Sequence, residues 1–150
     1  MTYALLLPLF LAMPWAAPRL PVDPWVTSMR PGVSLEHLAA DDLKVPLSDG
    51  RVFVAFLSDG CAACPEALPM METLGRSSGA PRVTAIFAGD RAAKRAWALE
   101  HVPSFPLAHA PVKSLRQYYR KLPVFLLLEE GTIRRIWWNR IPSPQEVLNA

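Results

Sequence analysis

Residues 51–58 of the chain, "RVFVAFLS", hold an unbroken apolar run with no polar position to mark a solvated face. Such a run predicts a strand buried on both sides, at the centre of a sheet. A second run of this kind, "PRVTAIFAG" (81–89), predicts a buried neighbour. Between them, "ACPEALPMMETLGR" (63–76) sets Leu68, Met71 and Leu74 at helical spacing, with Gly75 or Gly79 placed to end the helix. "DRAAKRAWALEH" (90–101) predicts an amphipathic helix N-capped by Asp90. "SFPLAHAP" (104–111) predicts a short extended piece, and "VKSLRQYYRK" (112–121) a short helix. "LPVFLLLEEGTIRRIWWN" (122–139) predicts two strands joined at Glu130-Gly131 as a hairpin. Strict alternation sends Trp137 and Trp138 to opposite faces, so at most one of them is core; Tyr118 and Tyr119 are expected to pack. "SPQEVLNA" carries a capping box, with Ser143 as N-cap, Pro144 in the first turn and Glu146 three residues on. The lead-in "GVSLEHLAADDLKVPLSDGR" (32–51), with an Asp49-Gly50 turn, predicts a small hairpin or loop entry. In chain order these elements predict an α/β fold, a central mixed sheet flanked by helices.

The N-terminal pattern is different. An apolar run from Ala4 to about Ala17 ends in small residues, and the first charge is Arg19. It is short for a spanning helix, which wants about 20 apolar residues, and Pro8 and Pro14 interrupt it. The expected organisation is a signal peptide or short membrane anchor (1–20), a proline-rich linker (21–32) and one folded domain (33–150). Export follows as an expectation: a periplasmic protein, or one held at the membrane and facing outward.

Composition adds little that is specific. At 150 residues, 51% apolar and 19% charged, the chain suits a single folded domain with a real core. The net charge of +3 and a pI near 9.1 make it mildly basic. Its cations are scattered: Arg91, Lys94 and Arg95 share a helix, and Arg134 and Arg135 flank strand residues. That distribution reads as solvated faces and lacks the dense stripe of a nucleic-acid footprint. No cofactor is implied, and a monomer is expected.

Chemistry concentrates in "SDGCAACPE" (58–66), which holds both cysteines, Cys61 and Cys64. They sit where a buried strand gives way to a helix. Free amides and the dipole at a helix start favour an anion there, and C-x-x-C thiols in such settings titrate at about 3.5–7.5. Cys61 is then the attacking thiolate and Cys64, one turn inward, the resolving thiol. Metal binding needs further ligands. His37, His101 and His109 fall outside zinc-finger spacing, though two thiols and one histidine would suit Cu(I). A purely structural disulfide is weak, because so small a loop removes little unfolded-state entropy. His101, closing its helix, is well placed for the dipole and has only a remote claim to catalysis.

The run "VFVAFLSDGCAACPEALPMMETL" resembles the active-site segment of the thioredoxin superfamily: strand, C-x-x-C, helix. Pro69 matches the proline that kinks the family's active-site helix, and "KLPVFLLLEEGTI" is similar to its cis-proline strand and following hairpin. The resemblance covers about residues 33–148. It implies a thioredoxin-like fold, a redox-active Cys61–Cys64 pair, a cis-proline at Pro123 opposite the dithiol, and a backbone at Leu122 that pairs with substrate. An extra helix and strand before Pro123, with the lead-in, is similar to the TlpA-like and redoxin branch, whose members are commonly exported or membrane-anchored. The implied activity is thiol–disulfide exchange with protein dithiols or disulfides, served by an upstream redox partner. Ala55 stands where thioredoxin has a buried aspartate, and Gly60 where it has a tryptophan; Asp59 and Glu66 are the nearby carboxylates able to take a proton. Peroxide reduction on a peroxiredoxin-like site is the alternative enzyme. Ser58 fits that pattern, and Val54 occupies the position of its required proline. A copper-binding assembly factor is the non-enzyme alternative, at odds with the two-residue cysteine gap.

Overall fold

The computed structural model describes residues 27–150, so the segment expected to be a leader or anchor and the first part of the linker lie outside the described residues. Among those described, no helix is long and apolar enough to cross a membrane. Five strands form one sheet: β1 (Arg51–Leu57), β2 (Arg82–Ala88), β3 (Leu107–Ala110), β4 (Val124–Glu129) and β5 (Thr132–Trp138). A 3₁₀ turn at Pro65–Ala67 leads into α1 (Leu68–Arg76), and three more helices follow: α2 (Arg91–His101), α3 (Val112–Leu115) and α4 (Pro144–Leu148). The spatial order is β3-β2-β1-β4-β5. β1 pairs parallel to β2 and antiparallel to β4, β2 runs parallel to β3, and β4 antiparallel to β5.

The continuous apolar run thus becomes the central strand, and the pleat divides its side chains between two cores. Phe53, Ala55 and Leu57 face one core with Cys61, Cys64, Met71, Phe87, Trp97, Phe125 and Trp137. Val52, Val54 and Phe56 face the other with Met29, Leu35, Ile86, Leu115, Leu126 and Ile133. Every residue from Val52 to Leu57 is inaccessible to solvent, and each large side chain so buried stabilises the fold by about 1.5–3 kcal/mol. Phe53 stacks on Phe125 with ring centroids 5.8 Å apart and meets Trp137 at 5.9 Å.

The lead-in forms no hairpin. It crosses one face of the sheet, bridging β5 at Ser34–Thr132 and β3 at Asp41–His109, and lays Leu35, Leu38 and Leu47 over the second core. The reason is reach. Four strand spacings are roughly 19 Å, and the seven residue-to-residue steps from Ser34 to Asp41 span at most roughly 25 Å, so little slack remains for a fold-back. Packing begins before the lead-in: Met29 is wholly buried, and the Ser28 amide and hydroxyl both donate to the Gln117 carbonyl at 2.9 Å. Those bonds also explain why α3 stops at Leu115 and does not run to residue 121. A longer helix needs the Gln117 carbonyl for itself, and Tyr118 and Tyr119 turn inward onto Phe56, at 6.5 and 6.1 Å.

The hairpin turn is Glu130-Gly131, at φ 47° and 75°, the two positive values that a primed two-residue turn demands. Past it, an irregularity opposite Leu127 and Leu128 adds a residue to β5 at Arg134. The extra residue shifts the phase, so Ile133 joins the second core while Trp137 joins the first. Trp138 is half-buried against the second core.

α4 carries the expected capping box, with the Glu146 amide donating to Ser143 Oγ at 3.2 Å and the Ser143 amide to Glu146 Oε2 at 3.2 Å. Arg140 grips the same carboxylate through both its terminal nitrogens, at 3.0 and 2.6 Å. That bidentate bond, helped by the Ser143 amide, lowers the Glu146 carboxyl from its ordinary 4.5 to about 2.

Two predictions follow from this packing. Gly75 lies inside α1, and a Cβ there would meet only Val83 at 3.7 Å, whereas at Gly131 it would meet Glu36 at 2.7 Å on a left-handed backbone. In chemical denaturation Gly75→Ala should stabilise by about 0.5–1 kcal/mol, and Gly131→Ala should destabilise by about 1–2 kcal/mol. Because the folded Glu146 carboxyl is depressed, its contribution is full above pH 4.5 and fades as pH falls towards 2. The acid-side loss of stability should accordingly be shallower in Glu146→Gln than in the parent, as read by melting temperature against pH.

Candidate active site

β1 ends at Leu57, and the chain leaves the sheet's carboxyl edge through tight turns. The Cys61 amide donates to Ser58 O at 3.4 Å, the Cys64 amide to Cys61 O at 3.0 Å, and the Ala67 amide to Cys64 O at 3.2 Å. The two sulfurs are joined, with Cα atoms 5.3 Å apart. The regular helix starts later than sequence spacing indicates. Pro69 has no amide to return to Pro65 O, and Leu68 donates there instead, so the first turn is 3₁₀ and α1 begins only at Leu68. Cys64 therefore caps the 3₁₀ turn, and Cys61 lies one turn before it. The amides of Ala62 and Ala63, on the loop between the sulfurs, have no backbone acceptor among the described residues.

The two sulfurs live in different surroundings. Cys64 is fully buried beside Ala67 and Met71; Cys61 is 9% exposed, at the lip of a cleft. That cleft, about 630 Å³, is lined on one side by Ser58–Ala63 and on the other by Tyr119, Arg120, Lys121 and Leu122, with Gly89 and Val112 at its end. The Leu122–Pro123 bond is cis. Leu122 shares the cleft with Cys61, and its backbone amide and carbonyl have no backbone partner among the described residues. A second, smaller groove of about 320 Å³ touches Cys61 from the α2 side, lined by Asp59, Pro65, Trp97, Glu100 and His101. A hollow of about 570 Å³ behind α1, lined by Gly75, Val83 and Phe105, opens at the other end of the sheet, away from the cysteines.

Beneath the disulfide the protein is apolar. Ala55 is fully buried among Phe53, Leu57, Phe125 and Leu127, and among the described residues the buried polar side chains are Thr27, Thr84 and His109, none of them a carboxylate. Asp59 and Glu66 are both exposed; the Asp59 carboxylate accepts from the Gly60 amide at 3.0 Å. Of the histidines, His37 is exposed and His109 is buried between Asp41 (3.3 Å) and the Gly89 carbonyl (3.0 Å). His101 packs against Trp97 with the rings tilted at 56° and centroids 4.6 Å apart. Among the described residues no three potential metal ligands come together.

Tyr119, Arg120, Lys121, Gly89 and Val112 escaped sequence reasoning as site residues because they reach the cleft from β2, α3 and the loop before β4. The one available signal was the closeness of Tyr119, Arg120 and Lys121 to Pro123; Gly89 and Val112 carried none. Burial raises the Tyr119 hydroxyl above its ordinary value, partly opposed by the Arg116 guanidinium.

No family model and no curated protein matches the chain in sequence. Solved structures do match its fold. A protein described as the thiol:disulfide interchange protein DsbE of Chlorobium tepidum superposes with a TM-score of 0.64 at 18% identity, covering 81% of this chain and 94% of that one. The thioredoxin domain of a thiol-disulfide oxidoreductase from Bacteroides vulgatus gives 0.63 at 16% identity, covering 81% and 95%. This chain has a thioredoxin-like fold. An exposed lipoprotein thioredoxin from Streptococcus pneumoniae gives 0.58 at 16% identity, covering 69% and 86%. Between α2 and the strand that follows Pro123 stand β3 and α3.

Burial alone sets an order of reactivity for the reduced pair. With limiting iodoacetamide and peptide mapping, Cys61 should be alkylated at least about tenfold faster than Cys64, since the buried thiol is reached only through local opening. Equal labelling would contradict the burial difference.

Proposed function

We propose that the protein is a thiol–disulfide oxidoreductase of the TlpA-like type that exchanges disulfides with protein substrates through Cys61 and Cys64. The observation that carries this reading is the pairing of a reachable sulfur with a buried one at the lip of a cleft. In the reducing direction the Cys61 thiolate attacks a substrate disulfide. A bond forms between Cys61 Sγ and one substrate sulfur, and the other substrate sulfur leaves as thiolate and takes a proton. Cys64, once deprotonated, attacks Cys61 Sγ, and the second substrate thiolate leaves. Two electrons have passed to the substrate, and the protein disulfide is restored. Oxidation of a substrate dithiol is the same sequence reversed.

Cys61 is the nucleophile in this scheme and Cys64 the resolving thiol. The acceptor-free amides of Ala62 and Ala63 favour the Cys61 anion. Leu122, with Pro123 after it, is the substrate-pairing backbone, a role supported by its place on the cleft and its unused amide and carbonyl. With Ala55 below the sulfurs, the proton leaving Cys64 passes to the cleft rim, where Asp59 lines the cleft and Glu66 stands exposed nearby in the chain as candidate acceptors. The apolar 4–17 run supports an extracytoplasmic site of action, as does the likeness to an exposed lipoprotein thioredoxin.

The test is dithiothreitol-driven insulin reduction by protein lacking residues 1–20. Cys61→Ser should lose at least about 100-fold in rate, and Cys64→Ser should accumulate mixed disulfides with substrate. Undiminished turnover in Cys61→Ser would refute the assignment.

A further inference from the structure

We propose that residues 113–121 form a basic docking edge that selects protein substrates whose reactive cysteine is flanked by acidic residues; this rests on the redox reading above. Lys113, Arg116, Arg120 and Lys121 fall within this stretch with no carboxylate among them. All four are exposed. Several cations elsewhere are held: Arg91 by Asp41 at 2.7 Å, Lys94 by Asp42 at 3.1 Å and Arg140 by Glu146 at 2.6 Å. None of the four on this edge has an acidic partner among the described residues. Arg120 and Lys121 line the cleft that holds Cys61, and the chain continues directly into Leu122. Asp59 is the single carboxylate on that lining.

A substrate strand laid along Leu122 runs beside this edge, and its side chains alternate towards and away from it. Acidic side chains on the near side meet unpaired ammonium and guanidinium groups, and a basic strand meets repulsion. Position decides the class of partner. The cations border a redox disulfide, so what docks beside them must bring a sulfur to Cys61. Tyr118 and Tyr119 are half-buried with their rings tilted onto Phe56, which leaves less aromatic face for nucleic-acid bases to stack on. Charge of this kind acts mainly on association rate and fades as salt shortens the screening length.

The test uses the reduced full chain and two synthetic peptides of equal length. Each carries one cysteine as a thionitrobenzoate mixed disulfide, flanked in one peptide by Asp and Glu and in the other by Lys and Arg. Cys61 attacks the peptide sulfur, and coloured thionitrobenzoate is released. The acidic peptide should react about tenfold faster at roughly 20 mM salt, with the ratio falling towards one by roughly 0.5 M. The ratio should invert in a variant carrying Lys113→Glu, Arg116→Glu, Arg120→Glu and Lys121→Glu, and shrink in the milder Arg120→Gln, Lys121→Gln variant. Fast but equal rates for the two peptides would overturn the docking edge and leave the redox reading standing. A preference indifferent to salt would also overturn it. Equal rates, with the protein retained by a single-stranded DNA oligonucleotide, would overturn it in favour of a nucleic-acid surface. If neither peptide released thionitrobenzoate, the redox reading and this proposal would fall together.

Discussion

The structure depends on one strand being paired on both sides and packed on both faces. β1 has β2 and β4 as neighbours and a separate apolar core above and below. Its direction and register are therefore over-determined, since a one-residue slip would exchange every side chain between the two cores. The point at which the chain must leave the sheet is fixed in turn. Cys61 lies a few residues past that point, so its position is inherited from the most constrained element in the molecule. Cys64 is held from the opposite direction, by the 3₁₀ turn that it caps and by Ala67 and Met71 in the first core.

From this follows the asymmetry on which the proposed chemistry rests. Both cysteines border the first core, Cys64 wholly buried and Cys61 at the lip of the cleft, and the loop between them is too short to exchange them. The opposite wall comes from remote chain, the ten or so residues before β4, and it supplies a backbone with free hydrogen-bonding groups and a fringe of positive charge. What is absent matters too. The core made of Phe53, Ala55, Leu57 and Phe125 beneath the sulfurs holds no carboxylate. The site is dry below and charged only at its rim.

Regular elements were largely legible because their signals are local. The apolar runs at 51–58 and 81–89, the Asp90 cap, the Glu130-Gly131 turn and the Ser143–Glu146 box all appear as read. The candidate site was legible for similar reasons: two cysteines separated by two residues at a strand end, and one proline before the next strand. Where reading by pattern failed, a long-range bond had intervened. The lead-in was expected as a small hairpin or a loop entry, and it is a loop stretched between the two edge strands. The segment after Val112 was expected to be helical throughout, and the hydrogen bonds from Ser28 end it. Helix α1 was expected to begin at the cysteines, and Pro69 delays it.

By itself the sequence determined the order of elements, the central strand, the redox-capable pair and the turns, since each is written in residues adjacent along the chain. It placed Trp137 and Trp138 on opposite faces, but could not say which core each would meet. That assignment turns on Arg134, whose insertion opposite Leu127 and Leu128 shifts the alternation of β5. Only the tertiary structure decided this, as it decided which sulfur is buried and which cations border the cleft. The physical reason is common to all three: burial and proximity are properties of surfaces that meet in space, and residues far apart in the chain supply the two sides.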